Sequence, residues 1–160
     1  MRYKVVPAPR SVAFLRDVQS ALPLVPGSVD DCCARILDRT DLGARDDARE
    51  YLTFVQALGL ATESDRGYSQ VHDGPADGEL GAQFRENILG AQETLQALED
   101  GPQTPAECFE AIRESVPRWE REHVTDWEAE WRERSERLLG WAVEFGLVRR
   151  QSGEYRLLDP

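Results

Sequence analysis

The chain has 160 residues, 30 of them acidic and 19 basic, and its net charge at pH 7 is −11. No apolar run approaches the roughly 18 residues that cross a bilayer, which excludes a membrane-spanning class, and the N-terminus lacks the apolar stretch of a secretion signal. We therefore expect a cytoplasmic protein that forms one ordinary domain or two small ones.

The first segment, MRYKVVPAPR, contains no acidic residue and three basic ones, Arg2, Lys4 and Arg10. Its two prolines favour an extended backbone. One interpretation is an arm that contacts phosphate groups. In the other, Tyr3, Val5 and Val6 alternate with the charges and form a strand against the body of the protein. The two interpretations are compatible.

Three helices and a hairpin follow in the first half. The patterns SVAFLRDVQSAL and GSVDDCCARILDRT predict two amphipathic helices, the second with Ser28 as its N-cap. A third helix is predicted from about Arg45 to Leu58, and Gly59 ends it, as glycine does just past a helix C-terminus. A short hairpin then turns at residues 65–67.

The second half shows the same order after a glycine-rich linker at residues 71–83. Helices are predicted in FRENILGAQETLQALED, TPAECFEAIRES and TDWEAEWRERSERLLGWAVEFGLV, and a hairpin turns at Ser152-Gly153. Thr104 followed by Pro105 is an N-cap with proline at the first helical position. The second half therefore reads as a second copy of the first.

Two shifts along the chain superimpose the copies. A shift of 76 residues aligns the second helices, and a shift of 87 aligns the third helices with the glycines that end them. The aligned pairs include Ser28 with Thr104, Cys32 with Cys108, Leu52 with Leu139 and Gly59 with Gly146. The difference, 87 − 76 = 11, predicts an insertion in the second copy near PRWEREHVTDW.

This order of helices, glycine and hairpin resembles the winged helix-turn-helix family. The stretch RTDLGARDDAREYLTFVQALGLATESDRGYSQV is similar to that family's second and third helices and wing, with a small turn at Leu42-Gly43. The chain is also similar to tandem winged-helix proteins of salt-loving archaea. The resemblance implies a mainly α fold with small β-hairpin wings, arranged as two tandem winged helix-turn-helix domains: residues 1–75 with the N-terminal arm, and residues 76–160.

The resemblance also implies a function. In that family the third helix usually enters the DNA major groove and the wing contacts phosphate. Carried over by position, the candidate DNA-binding residues are Arg45, Arg49 and Arg66, joined by the arm residues Arg2, Lys4 and Arg10. Asp46, Asp47 and Glu50 lie beside them and oppose phosphate binding unless they pair with the arginines. We expect a DNA-binding transcriptional regulator; the alternative is a protein–protein interaction module without DNA binding.

The long helix of the second half carries Trp127 and Trp131 at helical spacing. Aromatic residues at that spacing are usually core or interface residues. We expect them to pack against the other copy or a second subunit, so that this half mediates association with a protein partner or in a homodimer. On the same helix, Arg132 and Arg134 are expected to sit among surface glutamates.

Charge is unevenly distributed along the chain. Residues 1–75 carry a net charge of −2 and residues 76–160 a net charge of −9, which favours the first half as the main DNA contact even though Arg149, Arg150 and Arg156 lie on the second wing. Eighteen of the nineteen basic residues are arginine. Abundant carboxylates with almost no lysine are typical of adaptation to molar salt, where charge repulsion is screened. An acidic protein from a GC-rich genome is the alternative.

The cysteines do not predict a metal site. Cys32 and Cys33 are adjacent on a helix and point in different directions, and no CxxC motif occurs. Since Cys32 and Cys108 occupy matching positions of the repeat, we expect buried structural thiols. No nucleophile elbow, HExxH motif or glycine-rich phosphate loop is present, so we expect neither an enzyme nor a cofactor.

Overall fold

The structure is a computed structural model that describes residues 2–158. Its contacts divide the chain into two compact units, the first ending at Ile88 and the second beginning at Leu89. The boundary between residues 75 and 76, as the limit of a winged-helix domain, stays a prediction. No helix within the described residues is both long enough and apolar enough to span a membrane.

The first unit consists of four helices and one hairpin. In chain order these are α1 (Val12–Ala21), α2 (Val29–Arg39), α3 (Arg45–Ala57), β1 (Ala61–Ser64), β2 (Gly67–Gln70) and α4 (Leu80–Asn87). The Ser28 hydroxyl caps α2 by accepting a hydrogen bond from the Asp31 amide at 3.0 Å, as predicted. The apolar stripes of the first three helices meet in a core that includes the fully buried Leu15, Ile36 and Leu52.

The second unit repeats the order of three helices and a hairpin, with one helix added between the second and third helices and no counterpart of α4. Its elements are α5 (Ala91–Ala97), α6 (Pro105–Ile112), α7 (Arg118–His123), α8 (Trp127–Glu144), β3 (Val148–Gln151) and β4 (Glu154–Leu157). Thr104 caps α6 in a capping box with Glu107, and Pro105 is at the first helical position. Helix α7 lies within the predicted insertion.

Each wing is bridged by a third extended segment, which pairs with the second strand of the hairpin close to its turn. The amide and carbonyl of Gly27 exchange hydrogen bonds of 2.8 Å with Tyr68 of β2. Gln103 and Tyr155 of β4 form the same two-way bridge in the second unit. The two bridges are related by the predicted shifts, 76 for the segment before the second helix and 87 for the wing, which confirms the repeat.

The prediction of one helix over residues 84–100 is wrong. Helix α4 ends at Asn87 and α5 begins at Ala91, because Gly90 adopts a left-handed backbone with φ +93°. The Asn87 side-chain amide donates to the carbonyl of Ala57 at 2.9 Å, which joins α4 to α3 of the first unit. Three residues within one apparent helical pattern therefore separate two helices that belong to different units.

The N-terminal segment forms the predicted contact with the body of the protein. Tyr3 makes a parallel bridge to Ile88, with its amide donating to the carbonyl of Asn87 at 2.6 Å, and Val6 is buried. The Tyr51 hydroxyl also donates to the carbonyl of Ala8. This arrangement supports the strand interpretation and leaves the phosphate-contacting arm as a prediction.

All three cysteines are buried and free, which confirms the expected buried thiols. Burial raises the pKa of the Cys108 thiol to about 11 from its ordinary value of 9.0, and burial is also the largest cause of the raised pKa of Cys32 and Cys33. The Cys108 thiol is 3.8 Å from the carbonyl of Thr94. These are packed side chains rather than reactive thiolates.

We expect the native thiols to react with a thiol reagent far more slowly than the denatured ones. A raised folded pKa also means that the Cys108 contribution to stability is fully present below about pH 9 and declines as pH rises toward about 11, because the unfolded chain loses the proton first. Labelling rates and urea midpoints across that range, compared with a Cys108→Ala variant, test both points. Native labelling as fast as denatured labelling would contradict the burial.

Candidate nucleic-acid interface

Helix α3 has one buried face and one exposed face. Ala48, Leu52 and Val55 form its buried stripe. Arg45 and Arg49 lie one helical turn apart on the exposed side, in the first half of the helix. The fold thus places both predicted arginines outward, next to the wing formed by β1 and β2.

Arg45 is engaged by a carboxylate from another helix. Its guanidinium pairs with Asp30 in the first turn of α2, and the side chains are 50% and 83% exposed. Hydrogen bonding to Asp30 raises the pKa of Arg45. The sequence placed the competing carboxylates at Asp46, Asp47 and Glu50, whereas the structure adds this partner 15 residues away.

Arg49 and Arg66 are not engaged in this way. Both are exposed, and within residues 2–158 neither forms an ion pair. Arg49 lies close enough to β2 for its charge to lower the pKa of Tyr68, although burial and a hydrogen bond to Glu63 raise that pKa overall. Arg66 is at the wing tip, where its amide bonds to the Ser64 hydroxyl. Helix and wing therefore each carry one available guanidinium.

Exposed carboxylates surround these arginines. The first turn of α2 contains Asp30 and Asp31, and the first turn of α3 contains Asp46 and Asp47. Their negative charges interact favourably with the positive N-terminal end of each helix dipole. All four are exposed. Arg35 pairs with Asp31 at 3.2 Å, so part of this negative charge is compensated. The surface is a mosaic of both signs rather than a continuous positive strip.

The basic residues of the N-terminal segment differ in their surroundings. Arg10 makes two hydrogen bonds to Asp41, of 2.7 and 3.1 Å, and its guanidinium lies 3.8 Å from the centre of the Phe14 ring. The hydrogen bond lowers the pKa of Asp41. Arg2 and Lys4 are exposed, and both interact with other groups of the chain. All three predicted arm residues therefore interact with other groups of the chain, Arg10 through its ion pair with Asp41.

The two tryptophans predicted as interface residues lie in different environments. Trp131 is 2% exposed and packs with Phe109 and Val116 in the core of the second unit. Trp127 is half-buried at the edge of that cluster, 5.2 Å from the guanidinium of Arg113. Trp131 is therefore a core residue of its own unit, and Trp127 is the more accessible of the pair.

Arg134 is not the surface residue that the sequence predicts. It is 8% exposed, and its Nε donates to the carbonyl of Leu89 at 3.1 Å. Burial lowers the pKa of Arg134 to about 10, and the charges of Glu120 and Glu130 act in the opposite direction. Glu120 is also buried, at 5% exposure. The sequence of α7 and α8 is rich in charges of both signs, so its pattern did not indicate that Arg134 and Glu120 are buried.

The whole chain, apart from its last residue, matches a known protein family. A family model described as "Halobacterial double winged helix domain" matches residues 1–159. The chain belongs to this family. The match confirms the predicted tandem winged-helix fold and the resemblance to proteins of salt-loving archaea. A search of curated proteins gives no significant match.

Proposed function

We propose that this double winged helix protein is a DNA-binding transcriptional regulator whose first domain contacts DNA. One observation carries the proposal: Arg49 on α3 and Arg66 at the wing tip are exposed and without an ion pair within residues 2–158. These are the positions from which a winged helix reaches a groove and the neighbouring phosphates. Winged-helix families generally bind DNA, which supports the proposal further.

The ion pair of Arg45 is compatible with DNA binding. Both side chains of the pair are at least half exposed, and a pair in that setting is weak because water and salt screen it. A phosphate group would replace Asp30 as the partner of Arg45. We therefore retain Arg45 as a candidate DNA contact, secondary to Arg49 and Arg66.

The second domain is proposed to mediate association, with Trp127 as the candidate contact on α8. Its ring is half-buried, whereas the ring of Trp131 is buried in the core of the second unit. A partially exposed tryptophan supplies a large rigid contact area to a protein partner or a second copy.

A specific observation also favours the alternative function, a protein interaction module without DNA binding. The exposed carboxylates Asp30, Asp46 and Asp47 lie at the N-termini of α2 and α3, where a DNA backbone would approach. Phosphate would be repelled there, whereas a basic protein surface would be attracted.

The test is an Arg49→Ala/Arg66→Ala double variant assayed with genomic DNA fragments. We expect at least about a tenfold loss of affinity, because a base contact by Arg49 is worth about 1–3 kcal/mol and the loss of a phosphate contact by Arg66 adds to it. The melting temperature should be nearly unchanged, since both side chains are exposed. Fragments recovered by chromatin immunoprecipitation in the native host should lie near promoters.

The matched control is Arg118→Ala/Arg121→Ala, which changes net charge equally but removes arginines already paired with Glu122 and Glu114. It should bind DNA nearly as the wild type does, at low and at high salt. Equal affinity of both double variants, or no DNA retained by the wild type, would leave the interaction module as the better function.

A further inference from the structure

Helix α7 has no counterpart in the first unit. It spans Arg118–His123, lies within the insertion of the second copy and contacts α8. The three helices and the hairpin that the two units share form a winged helix in the first unit without such an element. A role of the α7 surface is therefore specific to the second domain and is not part of the shared winged-helix plan.

Trp119 presents its ring to solvent from α7. It is 62% exposed, whereas Trp127 is half-buried and Trp131 and Trp141 are buried. Its ring is stacked on the imidazole of His123, one helical turn later, with ring centroids 5.2 Å apart and planes inclined by 13°. The His123 Nδ1 atom lies 3.1 Å from the carbonyl oxygen of Trp119. Two stacked rings thus form an exposed aromatic surface of the kind that protein interfaces bury.

The segment that carries Trp119 is acidic. Residues 113–130 contain six acidic side chains and three basic ones, and of the acidic ones Glu120 is buried. Each of the three arginines already has a carboxylate partner in the same segment: Arg118 with Glu122 at 2.6 Å, Arg121 with Glu114 at 3.9 Å and Arg113 with Glu128 at 2.8 Å. Asp126 is exposed and forms no ion pair within residues 2–158. Negative charge therefore remains in excess beside the aromatic surface.

An exposed indole with surplus carboxylates is complementary to a basic protein segment. The face of an indole ring attracts an arginine or lysine side chain, and the carboxylates attract the cations beside it. The pairs of Glu114 and Glu122 are solvent-exposed and therefore weak, so a partner's arginines can replace their present ones. The acidic segment repels the phosphates of DNA. A second copy carries the same net charge of −11, which opposes self-association at low salt.

We propose that the exposed face of α7 is the docking site for a basic segment of a partner protein. An arginine or lysine side chain of that segment stacks on Trp119, and the neighbouring cations pair with Glu114 and Glu122. This docking site rests on the proposed association role of the second domain and gives that role a surface and a partner chemistry. It is separate from the proposed contact of the first domain with DNA.

The experiment titrates the full chain with a peptide of six arginines and measures its affinity by calorimetry. Trp119→Ser keeps the net charge, and we expect it to weaken binding about two- to fivefold, which is the effect of one exposed cation–π contact. Glu114→Gln/Glu122→Gln should weaken binding more, because the peptide then meets Arg118 and Arg121 without their partners. The peptide should also reduce acrylamide quenching of tryptophan fluorescence in the wild type but not in Trp119→Ser.

Two variants of the first unit provide matched controls. Leu24→Ser removes another exposed apolar side chain and should leave the peptide affinity unchanged.

Asp46→Asn/Asp47→Asn changes the net charge as much as the double glutamate variant does, and it should have a clearly smaller effect. Equal losses in the two double variants would show attraction by net charge alone and overturn the docking site. Unchanged affinity of Trp119→Ser would overturn it as well.

Sedimentation of the wild type and of Trp119→Ser tests the other occupant of this surface. A dimer that depends on Trp119 and that the peptide does not dissociate would identify a second copy and refute the basic partner. DNA affinity of Trp119→Ser should equal that of the wild type. A failure of the docking site therefore leaves the DNA-binding proposal to the Arg49/Arg66 experiment, and a wild type that binds the peptide but no DNA refutes that proposal alone.

Discussion

Replacing Gly67 by alanine is expected to lower the free energy of unfolding by about 3 kcal/mol. An added Cβ would lie 2.1 Å from the carbonyl oxygen of Gly27, and φ at this position is +126°, which side-chain-bearing residues rarely adopt. The atom in the way belongs to the backbone bridge between Gly27 and Tyr68, so no side-chain rotation relieves the contact. The wing would have to separate from the segment before α2.

The control is Gly43→Ala, at a glycine with no heavy atom within 4 Å of the added Cβ and without a positive φ. It should be neutral or slightly stabilising, because alanine restricts the unfolded chain. Urea denaturation of both variants measures the difference. Equal midpoints for the Gly67 and Gly43 variants would show that the bridge between Gly27 and Tyr68 does not contribute to stability.

Replacing Arg134 by methionine is expected to destabilise the protein by about 3 kcal/mol, although methionine fills a similar volume. The substitution leaves the carbonyl of Leu89 without its 3.1 Å donor and removes the positive charge that attracts the buried carboxylate of Glu120. A buried charge without compensation is more costly than the loss of a packed aliphatic stem.

A double-mutant cycle separates the charge effect from packing. Glu120→Gln keeps the shape of the side chain and removes its charge. We expect the Arg134→Met/Glu120→Gln variant to be more stable than the sum of the single losses predicts, by about 1–2 kcal/mol. Chemical denaturation of all four proteins gives the coupling. Additive losses would mean that Glu120 is not a significant partner of Arg134.

Local patterns explain the part of the fold that the sequence predicts. The hydroxyl caps Ser28 and Thr104, and the glycines Gly59 and Gly146 with φ of +83° and +74°, act within a few residues of their position. They therefore define helix ends, and their spacing reveals the two shifts of the repeat. The wing turns are equally local, although the second uses Ser152 and Gly153, both at positive φ.

The parts that sequence reasoning missed depend on contacts between distant residues. The break at Gly90 follows an uninterrupted helical pattern, and its close neighbours Leu138 and Trp131 are more than 40 residues away. The pair of Arg45 with Asp30 joins two helices, and the burial of Arg134 depends on the segment at Leu89. Arg49 and Arg66 were candidates from the family pattern, but the pattern could not show that neither forms an ion pair within residues 2–158.

The eleven-residue difference between the two shifts is explained by the evolutionary history of the chain. Tandem duplication of one ancestral domain, followed by an insertion between the second and third helices of the later copy, accounts for the 76- and 87-residue shifts. The inserted segment includes α7 and contains neither residue of the Gln103–Tyr155 bridge. Selection could therefore remodel the helix-turn-helix of one copy while its wing kept the inherited register, and the two domains were free to diverge in the charge they present.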